Sequence, residues 1–170
     1  MLFRSVRDGN RITSVIPKSK IVKEHDDHHE VLVHWGLEEV KVLKNLKMKD
    51  VPSPILGQYD WKGLYKPFEH QKTTASFLTM HRKAFCFNEQ GTGKTGSVIW
   101  AADYLMTLGL VKRVLVICPL SIMDSAWRAD LFKFAMHRSV DVAHGARDKR
   151  KQIINNRSEE HTSELQSLRH

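Results

Sequence analysis

Two cysteines in 170 residues, Cys86 and Cys118, are too few for a disulfide framework. Each falls in an apolar run, Ala84-Phe85-Cys86-Phe87 and Val114-Leu115-Val116-Ile117-Cys118. Both read as small buried core residues of a reducing compartment. No apolar run approaches the length of a membrane span, so no membrane partner is expected. Met1-Leu2-Phe3 is followed at once by Arg4 and Arg7, which leaves no apolar segment for a secretory leader. Together these absences predict a soluble, cytoplasmic chain. Negative charge is also short, with 19 acidic against 27 basic residues and a formal net charge of +8. That balance suits a polyanion such as nucleic acid, or a basic surface with no partner, and charge alone does not separate the two. Charged residues at 27% and hydrophobic residues at 41% point to a folded core and away from wholesale disorder.

The pattern divides near residues 50–60. In the first part, Ile12-Thr13-Ser14-Val15-Ile16 and Glu30-Val31-Leu32-Val33-His34-Trp35 read as short strands, and Gly36 breaks the second. Leu37, Val40, Leu43 and Leu46 recur every third residue, which predicts an amphipathic helix over 37–48. Val51-Pro52-Ser53-Pro54 reads as a linker, because proline restricts itself and its predecessor. We therefore expect an N-terminal α+β appendage over 1–56 and a second unit over 57–156.

The second unit alternates. Pro67 suits the first turn of a helix carrying Gln71, Ala75 and Leu78 on one face. Short apolar strands are expected at 84–87, 114–118 and 140–143. Helices are expected at 94–108, ended by Gly109, at 122–135 with Trp127, Leu131 and Phe134 on one stripe, and at 146–154. Alternating short strands and helices predict an α/β fold with a parallel sheet and right-handed crossovers.

Asn88-Glu89-Gln90-Gly91-Thr92-Gly93-Lys94-Thr95 follows the first of these strands and opens a helix, as a phosphate-binding loop does. Glycine lets the backbone curl until several N–H groups point at one spot, and the helix N-terminus adds positive potential there. A lysine then reaches the β- and γ-phosphates and a threonine hydroxyl ligates Mg²⁺, roles that Lys94 and Thr95 can fill. Asn88 stands where the strict pattern has glycine. An ordinary glycine turn capping a helix is the plainer reading of the same residues.

The segment 88–95 closely resembles motif I of the Swi–Snf-type ATPases of helicase superfamily two. Tyr65-Lys66-Pro67-Phe68-Glu69-His70-Gln71 resembles the Q motif of that family, with Gln71 lying 23 residues before Lys94. Val116-Ile117-Cys118-Pro119-Leu120-Ser121-Ile122, followed by Trp127, resembles motif Ia, and Val142-Ala143-His144-Gly145 resembles the strand and turn that come next. The resemblance covers about residues 65–150 and is of a kind frequent in phage and bacterial genomes. It implies the front of a RecA-like P-loop lobe and an ATPase that translocates on double-stranded DNA or remodels protein–DNA complexes. It implies ATP and Mg²⁺ as cofactors. ATP would be held by Gln71, Gln90, Gly91, Thr92, Gly93, Lys94, Thr95 and Gly96, with Lys94 and Thr95 catalytic and Thr95 ligating the metal. Gln71 would read the adenine edge; in isolation it reads as an exposed helix residue. Pro119 and Ser121 would meet DNA, and Ser121 reads equally as a helix N-cap. Trp127 reads as core packing rather than a base platform.

No Asp-Glu-x-His run follows residue 143, so the second acidic anchor for Mg²⁺ expected of this family has no counterpart here. The second RecA-like lobe and its arginine finger have none either. The chain is thus expected to bind ATP weakly without useful hydrolysis, and a nucleotide- or DNA-binding module that never hydrolyses ATP is the other reading. A small kinase fits less well, since kinases read adenine differently. Residues 157–170 resemble the read-through translation of a common sequencing adapter, so the natural frame is expected to end near Asn156.

Two further clusters stand out by charge and ligand type. His25-Asp26-Asp27-His28-His29-Glu30, with His34 nearby, holds metal-ligand types, but no spacing repeats a known zinc site, so a solvated loop leading into a strand is expected. Arg147, Lys149, Arg150 and Lys151 suit either backbone contact with DNA or a solvated helix face.

Overall fold

A computed structural model describes residues 1–155. Three antiparallel strands form its sheet: β1 (Leu2–Val6), β2 (Ser19–Glu24) and β3 (His29–Val33), in the order β1-β3-β2. β3 is central, pairing Leu2 with Val33 on one side and Ile21 with Val31 on the other. Alternation explains its placement, because Val31 and Val33 are fully buried on one face. The β2–β3 ladder shifts register between Ile21 and Lys23.

Helix α1 (Gly9–Thr13) links β1 to β2. The Asp8 carboxylate accepts hydrogen bonds from the N–H groups of Asn10 (3.0 Å) and Arg11 (3.4 Å), which caps the helix. Asp8→Ala is expected to cost about 1 kcal/mol, read as a lower denaturant midpoint. An unchanged midpoint would show that the cap contributes nothing. The strand expected over 12–16 is therefore corrected. Ile12 and Ile16 are both buried, four residues apart, with residues 9–13 helical.

Helix α2 (Leu37–Asn45) buries Leu37, Val40 and Leu43, with Glu38 and Glu39 in its first turn and Lys44 in its last, matching the helix dipole. A short α3 (Ile55–Gln58) precedes the long pair α4 (Glu69–Met80) and α5 (Lys94–Thr107). Gly109 does end α5: Leu110 N–H reaches Leu105 O at 3.0 Å and Gly109 N–H reaches Met106 O at 2.9 Å. A 3₁₀ turn (Leu120–Ile122), a π-helical turn (Met123–Arg128) and α6 (Ala129–Phe134) follow. Residues 147–155 are helical. Among the described residues, no helix is long and apolar enough to cross a membrane. The tail over 157–170 lies outside the described residues.

The hydrophobic cluster runs continuously from Leu2 to Tyr104. An aromatic chain extends it toward α6. Tyr59 meets Trp61 at 5.3 Å between ring centroids, Trp61 meets Trp100 at 5.8 Å, and Trp100 meets Phe134 at 4.8 Å, all edge to face. Trp100 is fully buried and its indole N–H donates to Lys62 O at 2.9 Å.

The expected parallel-sheet, RecA-like lobe is overturned. Among the described residues the antiparallel sheet at the N-terminus is the only sheet, and the runs 84–87, 114–118 and 140–143 are not strands. Phe85, Phe87, Leu115 and Ile117 are 81%, 87%, 76% and 89% exposed. A strand exists through its ladder, and no backbone hydrogen bond joins 84–87 or 114–118 to anything among the described residues. Apolar content marks such runs but cannot supply the neighbours, which for parallel strands lie a crossover away. Cys86 and Cys118 are correspondingly half-buried free thiols, not core residues.

Candidate phosphate-binding loop

The loop over 88–93 hangs between two helices, and three sets of contacts fix it. Asn88 Nδ2 donates to Thr74 Oγ1 on α4 at 2.9 Å. The Thr92 hydroxyl donates to Glu89 O at 2.8 Å, closing the loop on itself. The Thr92 carbonyl oxygen accepts from Gln71 Nε2 at 3.2 Å and from His70 Nε2 at 3.1 Å. Asn88, the departure from the usual glycine, is thus a tether to α4.

Gly91 and Gly93 both adopt left-handed backbone, at φ 75° and 72°. Gly93 is the N-cap of α5, and a Cβ there would strike Gln71 Nε2. Around Gly91 a Cβ would meet nothing within 4 Å. The two glycines therefore do different work: one lets the chain turn beside open space, the other lets α4 touch the loop.

The Lys94 ammonium donates to Asn88 O at 2.9 Å and Glu89 O at 2.7 Å, so it is folded over the loop it follows. The N–H groups of Lys94, Thr95 and Gly96, in the first turn of α5, meet no acceptor among the described residues. A first helical turn whose N–H groups lack protein acceptors, next to a lysine, is a concentration of positive potential. The half-buried Thr95 lies in that same turn. These features fit a phosphate group: backbone donors, an ammonium, no Cβ in the way at Gly91, and a hydroxyl of the kind that ligates Mg²⁺. Gly96 is buried against Phe134, whose ring a Cβ would meet at 3.1 Å, so α6 backs the turn from behind.

Gln71 is 9% exposed, not the exposed helix residue its sequence context alone suggests. Its Oε1 accepts from the Phe68 N–H at 3.0 Å while its Nε2 holds Thr92. An amide has two N–H donors and two acceptor lone pairs, so one of each remains. The exposed Phe68 ring stacks on His70 at 5.8 Å and 12°, an aromatic surface beside Gln71 that sequence reasoning missed. His70 was legible only as a neighbour of Gln71, since nothing in the string marks its bond to Thr92.

Gln71, Asn88, Thr92, Gly93 and Lys94 come together. Pro119 and Ser121 do not join them by any hydrogen bond among the described residues. Both are exposed, and Ser121 sits inside the 3₁₀ turn without capping a helix by its side chain. Trp127 is half-buried. Arg147, Lys149, Arg150 and Lys151 are exposed on the helical stretch 147–155. No protein-family model, curated protein or solved structure matches the chain.

Proposed function

We propose that residues 88–96 bind the phosphates of ATP, and that the chain is the ATP-binding part of a helicase-like, DNA-dependent ATPase and translocase. The observation that carries this reading is the loop itself. Two left-handed glycines flank Thr92 at the mouth of a 14-residue helix, with the Lys94 ammonium drawn over the loop carbonyls. In this reading Lys94 exchanges those carbonyls for the β- and γ-phosphates, and Thr95 holds Mg²⁺. Bound Mg²⁺ would neutralise charge on the phosphates. The remaining N–H and lone pair of Gln71 suit an adenine edge, and the Phe68–His70 stack suits its ring face. Double-stranded DNA is the proposed partner. It would be met by exposed Pro119 and Ser121 and by the basic residues of 147–151.

The test is ATP·Mg²⁺ binding by titration calorimetry. Lys94→Ala is expected to weaken binding at least about tenfold, the loss of a charge-assisted contact of roughly 1.5–3 kcal/mol. Equal affinities would sink the reading. A second reading, a nucleotide-binding module that never hydrolyses, suits the same loop and lysine geometry. ATP turnover that Lys94→Ala abolishes would remove it.

A further inference from the structure

Four histidines lie between residues 25 and 34, and the fold uses them in two ways. His29 Nδ1 accepts from the Gly9 N–H at 3.0 Å, and His34 Nδ1 lies 3.1 Å from Glu39 Oε1. Those two tie β3 to α1 and α2. The other two face one carboxylate instead. At the β2–β3 turn, closed by His25 N–H on His28 O at 2.9 Å, His25 Nε2 stands 3.3 Å from Glu30 Oε1. The His25 and His28 rings stack at 4.4 Å between centroids and 16°. One ligand atom from each of His25, His28 and Glu30 falls within 4.8 Å of the others.

The geometry points to a divalent transition-metal site at this turn, built from His25, His28 and Glu30. Two ligands about 2.0–2.1 Å from a tetrahedral ion are separated by roughly 3.4 Å, and the His25–Glu30 pair already stands at that spacing. His28 Nδ1 lies 2.6 Å from Asp27 Oδ1, so Nδ1 carries the proton and Nε2 is left with the lone pair a metal needs. That carboxylate–histidine contact fixes the tautomer and raises the ring's basicity. Imidazole with one carboxylate suits Zn²⁺ and its neighbours over Ca²⁺ or Mg²⁺, which prefer all-oxygen shells. The His25, His28 and Glu30 side chains are 41%, 34% and 23% exposed, open enough for water as a fourth ligand. The sequence offers these residues as ligand types but favours a solvated loop, because their convergence depends on the turn and not on a spacing found in zinc motifs.

Titration of the full chain with Zn²⁺ is expected to show one saturable site. His25→Ala and His28→Ala should each weaken it at least about tenfold, and Asp27→Asn by about tenfold or more through the tautomer. His81→Ala should leave it unchanged. Histidine ring signals in NMR give a second readout: Zn²⁺ should move those of His25 and His28 and spare those of His34. No saturable binding by the parent chain would overturn the site, as would a His28→Ala variant that binds as tightly as the parent. Zn²⁺ shifts confined to other histidines would overturn it too.

Discussion

Asp103→Ala is expected to cost about 3–5 kcal/mol, a loss on the order of 10 °C in Tm for a chain of this size. Asp103 sits on α5 with its side chain 1% exposed. Its Oδ2 accepts from the Tyr59 hydroxyl at 2.6 Å, and its Oδ1 accepts from Arg138 Nε at 2.5 Å and faces His137 Nε2 at 2.9 Å. One carboxylate therefore ties the segment before α4 and the segment after α6 to α5. Truncation leaves the Tyr59 hydroxyl and the Arg138 guanidinium without their buried acceptor. Arg138 is 29% exposed and can turn to water, which sets the cost at the lower end of that range. Thermal unfolding followed by circular dichroism checks this, and a Tm within a degree or two of the parent would refute it.

Acid gives an independent test. Burial pushes the Asp103 carboxyl up, but the hydrogen bonds from Tyr59, Arg138 and His137 outweigh it and hold the group below its ordinary value. A depressed folded-state pKa means the stabilisation is complete above the ordinary aspartate value and is lost as pH falls through the folded one. The parent chain should therefore shed this contribution below about pH 4, whereas Asp103→Asn, having no such proton to gain, should not.

Gly93→Ala should damage both folding and nucleotide binding, and more than Gly91→Ala does. Both positions are left-handed, so either alanine incurs roughly 1–2 kcal/mol of backbone strain. Only at Gly93 does the added Cβ strike Gln71, forcing that amide off Thr92 and Phe68. Each displaced hydrogen bond adds about 1 kcal/mol. Denaturant midpoints should rank parent, Gly91→Ala, Gly93→Ala in falling order, with ATP affinity of Gly93→Ala at least about tenfold below the parent. Identical midpoints for the two alanine variants would show that Gln71 does not brace the loop.

Much of this was legible where the sequence carries its own partners. Leu37, Val40 and Leu43 share one helical face, and a period of three announces α2 without any distant contact. The glycines at 91 and 93, then Lys94 and Thr95, announce the mouth of α5 in the same local way. Of the N-terminal strands only β3 is announced, by the run 30–35; β1 and β2 carry too many charged and polar residues to stand out, although a turn suffices to pair β2 with β3. The helix at residues 9–13 is hidden in the sequence because Ile12, Val15 and Ile16 resemble a strand run, and only the cap at Asp8 points the other way. The parallel sheet failed for a different reason. Apolar letters at 84–87 and 114–118 say that a segment avoids water, not which segment it will lie beside. Asp103 shows the same limit from the polar side. Nothing near it in sequence announces partners 34 and 35 residues onward, and only the packing of α5 brings them in.

The uncovered runs at 84–87 and 114–118 have a colloidal consequence. Phe85, Phe87, Leu115 and Ile117 place aromatic and branched side chains in water on backbone with no ladder of its own, a composition that favours β-type association between molecules. What opposes it is long-range repulsion from a net charge of +8. That barrier is ionic, with a reach of about 10 Å in 0.1 M salt and about 3 Å in 1 M. Dispersal of this chain is therefore a property of its buffer as much as of its sequence, and polyanions that neutralise the charge would gather it.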